Sequence, residues 1–96
     1  MPKYLYIFCY QTPEQTAASE TDESSEAVFI EAPTAEAALA WGEEISERFV
    51  AKLFGAKTPS WKGMDFPHWV ESEPFEEYPE ETLAHLPLVP CGSYPD

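Results

Sequence analysis

The feature that most constrains the fold of this chain is the unbroken apolar run of residues 4–10. The run is rich in aromatic and β-branched side chains, which fit the pleated surface of a sheet, and Gln11, Thr12 and Pro13 end it. Successive side chains of a strand point to opposite faces, so both faces of this strand are apolar. Residues 3–10 are therefore predicted to form an inner strand that is covered on both sides.

Residues 26–31 predict a second strand, because Val28 and Ile30 would share one face and Ala27 and Phe29 the other. The intervening residues 11–25 are rich in Pro, Thr, Ser and acidic side chains and show no hydrophobic period. Such a composition predicts a mobile acidic loop. The two strands would then form a wide hairpin.

Residues 34–54 carry the clearest helical signals. Thr34 is the predicted N-cap, Glu36 lies in the first turn, and Gly55 is the predicted terminating residue. Apolar residues recur every three or four positions, so one face of the helix should pack on the sheet. This stripe consists of Ala38, Trp41, Ile45, Phe49 and Leu53. Gly42 in mid-helix predicts a close approach to a strand.

Residues 67–72 predict a third strand, and the Pro-rich segment 74–96 contains a short helical turn. We therefore expect a single α+β domain over residues 1–96. Its sheet should be small, three-stranded and mostly antiparallel, with one long amphipathic helix on one face, in the order β-β-α-β. The short helical turn and a tail over 74–96 that wraps the domain would follow.

Charge excludes several classes of partner. The chain has 18 acidic and 5 basic residues and a formal net charge of −13, so it repels nucleic acid and anionic lipid. Its longest apolar run has seven residues, whereas a membrane-spanning helix needs about 20. Four of the five basic residues lie within residues 48–62, which makes the charge distribution polar. Two explanations of the acidity remain open, steering of a basic protein or a solubility adaptation such as halophiles show.

The sequence contains no recognisable cofactor or metal motif. Its four glycines form no phosphate-binding loop, and Cys9, His68, His85 and Cys91 have no metal-ligand spacing. No cofactor or metal is therefore expected. The two cysteines form no CxxC pair, which favours a reduced, cytoplasmic protein and leaves open whether they are bridged.

Alternation along the predicted strands divides their side chains between two faces. Aliphatic residues are expected beneath the helix, namely Leu5, Ile7, Cys9, Val28, Ile30 and Val70. The opposite face would carry the aromatic residues Tyr6, Phe8, Phe29 and Trp69. Single-strand RNA binders stack bases on such a face, but the negative charge here opposes that use. We expect the tail, a second copy of the chain or another protein to cover it.

A second candidate site lies within residues 61–69. Asp65 and His68 are three positions apart, with Trp61 and Trp69 beside them, so an acid–base pair in an aromatic pocket is conceivable. No neighbouring residue supplies a nucleophile or an oxyanion hole. This cluster is the basis of the alternative hypothesis, a small-molecule binding protein or an enzyme.

The leading hypothesis is a small acidic, non-enzymatic module that binds another protein, of inhibitor, antitoxin or immunity type. Its acidic surface would cover a basic active site or a nucleic-acid groove. Glu20, Asp22 and Glu23 are expected to steer a basic partner, and an exposed aromatic residue such as Trp61 to anchor it. Homodimerisation through the aromatic face or a free strand edge is compatible with either hypothesis.

Overall fold

The computed structural model of the protein describes residues 2–18, 22–55, 61–75 and 78–95. Its strands are β1 (Lys3–Tyr10), β2 (Ser24–Glu31), β3 (His68–Glu71) and β4 (Leu88–Pro90). Its helices are α1 (Pro13–Ala17), α2 (Ala35–Phe54) and α3 (Glu80–Ala84), and Trp61–Met64 form a 3₁₀ turn. The predicted α+β class, with one sheet and one long helix, is confirmed. Within the described ranges, no helix has both the length and the apolar character needed to cross a bilayer.

The sheet has four strands and is mixed, so the prediction of a three-stranded, mostly antiparallel sheet was wrong. The strand order is β3-β1-β2-β4, with β1 antiparallel to both neighbours and β4 parallel to β2. The missed strand, β4, has only three residues; Pro87 directly precedes it and Pro90 is its last residue. Prolines are tolerated there because β4 is an edge strand. The backbone N–H of Phe29 donates to the carbonyl oxygen of Pro87, 2.9 Å away.

The segment predicted as a loop over residues 11–25 contains the short helix α1, and β2 begins at Ser24 instead of residue 26. Thr12 caps α1, since its hydroxyl accepts from the Gln15 N–H and the Gln15 side chain accepts from the Thr12 N–H. Pro13 occupies the first position of α1, where its missing N–H costs nothing. Glu20, one of the predicted steering residues, lies outside the described residues.

The helix α2 forms where the sequence predicted it, with the Thr34 hydroxyl accepting from the Ala37 N–H and Gly55 following its end. Its buried stripe is rotated from the predicted one, because Trp41 and Phe49 are only half-buried and Leu53 is 39% exposed. The buried positions are Ala38, Gly42, Ile45, Ser46 and Val50. Three of these are small, so α2 approaches the sheet closely and leaves room beneath it for large strand side chains.

The assignment of side chains to sheet faces was also wrong. Tyr6 pairs with Val28 and with Val70, and paired residues of antiparallel strands share a face. The face beneath α2, here called the near face, therefore carries Tyr6, Phe8, Tyr10, Val28 and Ile30. The far face carries Leu5, Ile7 and Phe29, which pack against Phe75, Tyr78, Leu83 and Leu86 of the tail. The rings of β1 lie beneath α2 because its small residues leave space there.

Candidate functional site

The predicted pocket of Trp61, Asp65, His68 and Trp69 does not form. His68 and Trp69 are consecutive in β3 and so point to opposite faces of the sheet. Trp61 lies on the near face, 3% exposed, with its ring centroid 5.2 Å from that of His68 and its indole N–H donating to the Cys9 carbonyl at 2.8 Å. Trp69 lies on the far face and is 41% exposed. Trp61 therefore cannot be the exposed anchor, whereas Trp69 is accessible to a partner.

Asp65 has a conformational role in place of the predicted acid–base role. Its φ of 56° lies in the left-handed region, where aspartate is more common than most residues, and it directly follows the 3₁₀ turn Trp61–Met64. Its side chain is exposed. Asp65 thus ends the 3₁₀ turn, and its side chain faces solvent instead of forming an acid–base pair with His68.

His68 belongs to a hydrogen-bonded chain that joins the sheet to α2. The Ser46 hydroxyl donates to the Gly42 carbonyl oxygen at 3.0 Å, so it accepts from the Tyr6 hydroxyl at 2.8 Å. Tyr6 then accepts from Nδ1–H of His68 at 3.1 Å. Nε2 of His68 lies 3.8 Å from a carboxylate oxygen of Glu43. Ser46 is 0% exposed, so its hydroxyl cannot attack a ligand. The role of these hydrogen bonds is to hold α2 on the sheet.

The predicted aromatic stacking face does not form either. Tyr6 and Phe8 are buried beneath α2, and burial raises the pKa of the Tyr6 hydroxyl well above its usual range. Phe29 lies on the far face, where Phe75 covers it with a centroid distance of 5.3 Å. Trp69 alone of these four is exposed. Adjacent rings of β1 and β2 fall on different faces because Leu5, and not Tyr6, is paired with Phe29.

The far face carries a groove of about 450 Å³ that the tail leaves open beside α3. We call it the far-face groove. The strand residues Ile7, Cys9 and Ala27 line it together with Trp69 of β3 and Leu83 of α3. Its volume lies within the range of roughly 300–1,000 Å³ that ligand pockets occupy. Apolar walls with an exposed indole suit recognition of an apolar side chain.

The far-face groove has an acidic surround. Glu26 lines its β2 edge, although pairing with Phe8 places the Glu26 side chain on the near face, and neither Lys nor Arg is among the lining residues. Burial and the nearby charge of Glu23 raise the pKa of the Cys9 thiol, so Cys9 is a poor nucleophile. The far-face groove is thus equipped to bind rather than to react.

Glu71 fixes the orientation of Trp69. Its carboxylate accepts from the Tyr78 hydroxyl and from the Trp69 indole N–H, the latter at 3.0 Å. These two hydrogen bonds lower the pKa of Glu71, with the Tyr78 hydroxyl having the larger effect. An indole held in this way loses less side-chain freedom when it contacts a partner.

The predicted steering residues Asp22 and Glu23 are exposed just before β2. They lie at the Cys9 end of the sheet, because Cys9 pairs with Ser25. The proximity of Glu23 to Cys9 places acidic charge next to the open end of the far-face groove.

The two cysteines do not form a disulfide. The Cys91 backbone N–H donates to the Glu31 carbonyl oxygen, whereas Cys9 pairs with Ser25 at the other end of β2. At a rise of about 3.3 Å per residue these positions are roughly 20 Å apart along the strand. A disulfide requires Cα atoms within about 7 Å, so both thiols remain free. No group of three or more His, Cys, Asp or Glu side chains within the described ranges could hold a metal ion.

A smaller cavity of about 160 Å³ lies between α2 and the tail, lined by Arg48 and Lys52 together with Ile45, Phe49, Tyr94 and Pro95. The Arg48 guanidinium carbon lies 4.3 Å from the ring centroid of Tyr94, so the cation already contacts an aromatic partner. This cavity is the basic counterpart of the acidic far-face groove.

Sequence reasoning missed the groove-forming role of Ala27, Tyr78 and Leu83. The apolar set Leu5, Ile7 and Cys9 indicated that something must cover the far face, but not which tail residues do so.

Comparisons with protein-family models, with curated proteins and with solved structures found no match to this chain.

Proposed function

We propose that this protein is a non-enzymatic binding module that receives an apolar, positively charged segment of a partner protein in the far-face groove. The observation that carries the proposal is the exposed indole of Trp69 beside an apolar groove whose charged lining residue is acidic. Tryptophan residues in such positions often supply a large share of binding energy.

The charge of the chain supports a basic partner. With a formal net charge of −13, the protein attracts cationic surfaces from a distance and repels a second copy of itself. Glu26 lies at the β2 edge of the far-face groove and Glu23 lies near Cys9, so the attraction is directed to this edge. An inhibitor or immunity-type role, in which this surface covers a basic functional site, is the most specific form of the proposal.

A small-molecule ligand is the second candidate, because the volume of the far-face groove suits one and hydroxyl groups of Ser25 and Thr82 line it. We further propose a cytoplasmic location, which the two widely separated free thiols support.

The experiment is affinity capture from a lysate of the source organism with three baits: the wild type, Glu26→Lys and Glu36→Lys. The two variants change the net charge equally, but Glu36 lies exposed in the first turn of α2, away from the far-face groove. We expect a stoichiometric basic protein on the wild type and on Glu36→Lys that moderate salt releases, and its loss on Glu26→Lys.

If both variants lost the partner protein equally, its binding would depend only on net charge. That result would contradict specific binding in the far-face groove. Native mass spectrometry of the purified protein provides the opposing test, since a co-purifying small molecule would favour the second candidate.

A further inference from the structure

The outer edge of β2 is only partly paired. β4 covers the positions Phe29, Ile30 and Glu31, and no described strand pairs with the remainder of this edge, from Ser24 to Val28. The unpaired part coincides with the end of β2 that lies beside the far-face groove, since Ser25 and Ala27 line it.

The backbone groups of Ser25 and Ala27 point outward along this edge. The Phe29 N–H donates to Pro87 and the Glu31 carbonyl accepts from Cys91, so the odd-numbered residues of β2 face β4. Strand backbone groups alternate in direction, and therefore the N–H and C=O of Ser25 and Ala27 face the same side. There they meet no described strand.

A cavity lies on each side of this open edge. The far-face groove lies on one side, and a cavity of about 200 Å³ lies on the other, lined by Phe8, Val28 and Phe49 of the near-face core. Glu26, Ala27 and Leu86 line both cavities, so the two cavities meet at this part of the edge, beside the tail residue Leu86. An extended peptide on this edge would place alternate side chains in the two cavities.

We propose that an extended segment of a basic partner protein adds to the sheet along Ser24–Val28 of β2, in line with β4. This inference rests on the proposed function and specifies how the far-face groove is used. Backbone hydrogen bonds to Ser25 and Ala27 supply affinity, and the two cavities select apolar side chains at alternate positions of the segment. The open edge accommodates about five residues at roughly 3.3 Å each.

Charge complementarity identifies the segment as basic. Glu26 lines both cavities, Glu23 lies near Cys9, and no Lys or Arg lines either cavity. A segment with alternating apolar residues and flanking Lys or Arg fits this environment. A second copy of the chain does not, because it carries the same net charge of −13.

The test begins with random twelve-residue peptides displayed on phage and selected on the full chain. We expect selected sequences in which apolar residues alternate and Lys or Arg flank them. The tightest peptide is then synthesised with one backbone amide methylated at a time. Because an added strand directs only every second N–H to its neighbour, methylation at alternate positions should weaken binding about tenfold and elsewhere much less.

A variant pair tests the protein side. Ala27→Pro removes the outward N–H, which β1 does not use, while Ala35→Pro makes the same substitution at the first position of α2, where proline is tolerated. We expect Ala27→Pro to weaken peptide binding about tenfold and Ala35→Pro to leave it nearly unchanged. The methylation scan uses the wild-type protein and decides the matter even if Ala27→Pro does not fold.

The two levels of the account fail differently. One outcome would overturn strand addition but leave the far-face groove as the site. In that outcome Trp69→Ala abolishes peptide binding, whereas Ala27→Pro does not weaken it and methylation has no alternating effect. If no peptide is selected, or if binding ignores both Trp69→Ala and Ala27→Pro, strand addition and the proposed function are both wrong.

Discussion

The ring of Tyr6 lies where a side chain at position 42 would begin, since a β-carbon built on Gly42 would come within 2.3 Å of the ring. Tyr6 is buried, and its hydroxyl is hydrogen-bonded to Ser46 one turn further along α2. The ring therefore cannot swing aside without breaking that bond. The close approach predicted from Gly42 is thus made by a strand side chain that packs on the helix backbone.

Gly42→Ala is expected to destabilise the protein, although alanine is the better helix former by about 1 kcal/mol. Overpacking of a close-packed core typically costs about 1–3 kcal/mol and should outweigh that gain. Urea unfolding measures the change. In a double-mutant cycle with Tyr6→Leu, the cost of Gly42→Ala should largely vanish. A Gly42→Ala protein more stable than the wild type would contradict the contact.

Tyr6→Phe should lower the free energy of unfolding by about 1–2 kcal/mol, because the buried Ser46 hydroxyl loses its donor and His68 loses its acceptor. Tyr10→Phe is the matched control on the same face, since no described side chain is hydrogen-bonded to the Tyr10 hydroxyl. It should cost much less. If thermal and urea unfolding showed equal losses of stability for Tyr6→Phe and Tyr10→Phe, the hydrogen bonds of the Tyr6 hydroxyl would add nothing to stability.

How much of this fold is readable from the sequence depends on how local each signal is. The ends of α2 are set by Thr34 and Gly55, each acting on its own neighbours, and both were predicted correctly. The orientation of β1 was not predicted correctly, because both of its faces are apolar. Which face lies beneath α2 depends on the small residues that α2 presents. The strand β4 was not predicted because its pairing with Phe29–Glu31 joins residues that lie far apart in the sequence.

The candidate site shows the same limit. The proposed pocket of His68 with Trp69 conflicted with the strand predicted through both residues, since neighbours in a strand face apart. The far-face groove depends on where the tail residues Tyr78 and Leu83 settle on the sheet, which no local pattern specifies.

The two thiols should differ in reactivity. Cys91 is exposed, whereas Cys9 is half-buried and its pKa is raised by burial and by Glu23, which reduces the fraction present as thiolate near neutral pH. Alkylation of the single-cysteine variants Cys9→Ser and Cys91→Ser should proceed faster at Cys91. Glu23→Gln should accelerate labelling of Cys9 alone. Faster labelling of Cys9 in the native protein would contradict its position in the far-face groove.

The contribution of Glu71 to stability should depend on pH. Its folded-state pKa is lowered by the Tyr78 and Trp69 hydrogen bonds, so the stabilisation is present above the unfolded pKa of about 4.3 and is lost as pH falls through the folded pKa. In a carboxyl NMR titration, Tyr78→Phe should raise the Glu71 midpoint. Tyr94→Phe, which lies beside Trp41 on the other side of the molecule, should leave it unchanged.

The stability gap between the wild type and Tyr78→Phe should accordingly narrow as the solution is acidified. A gap that widens towards low pH would show that the Tyr78 hydroxyl does not stabilise the ionised carboxylate.

The most direct test of the account is an amide NMR map of the ¹⁵N-labelled full chain titrated with the peptide selected by phage display. We predict that the largest shifts occur at the Trp69 indole N–H and at the backbone amides of Ser25 and Ala27. Shifts centred on Arg48 and Lys52 beside the basic cavity of α2, or no shifts at saturating peptide, would contradict the far-face groove as the binding site.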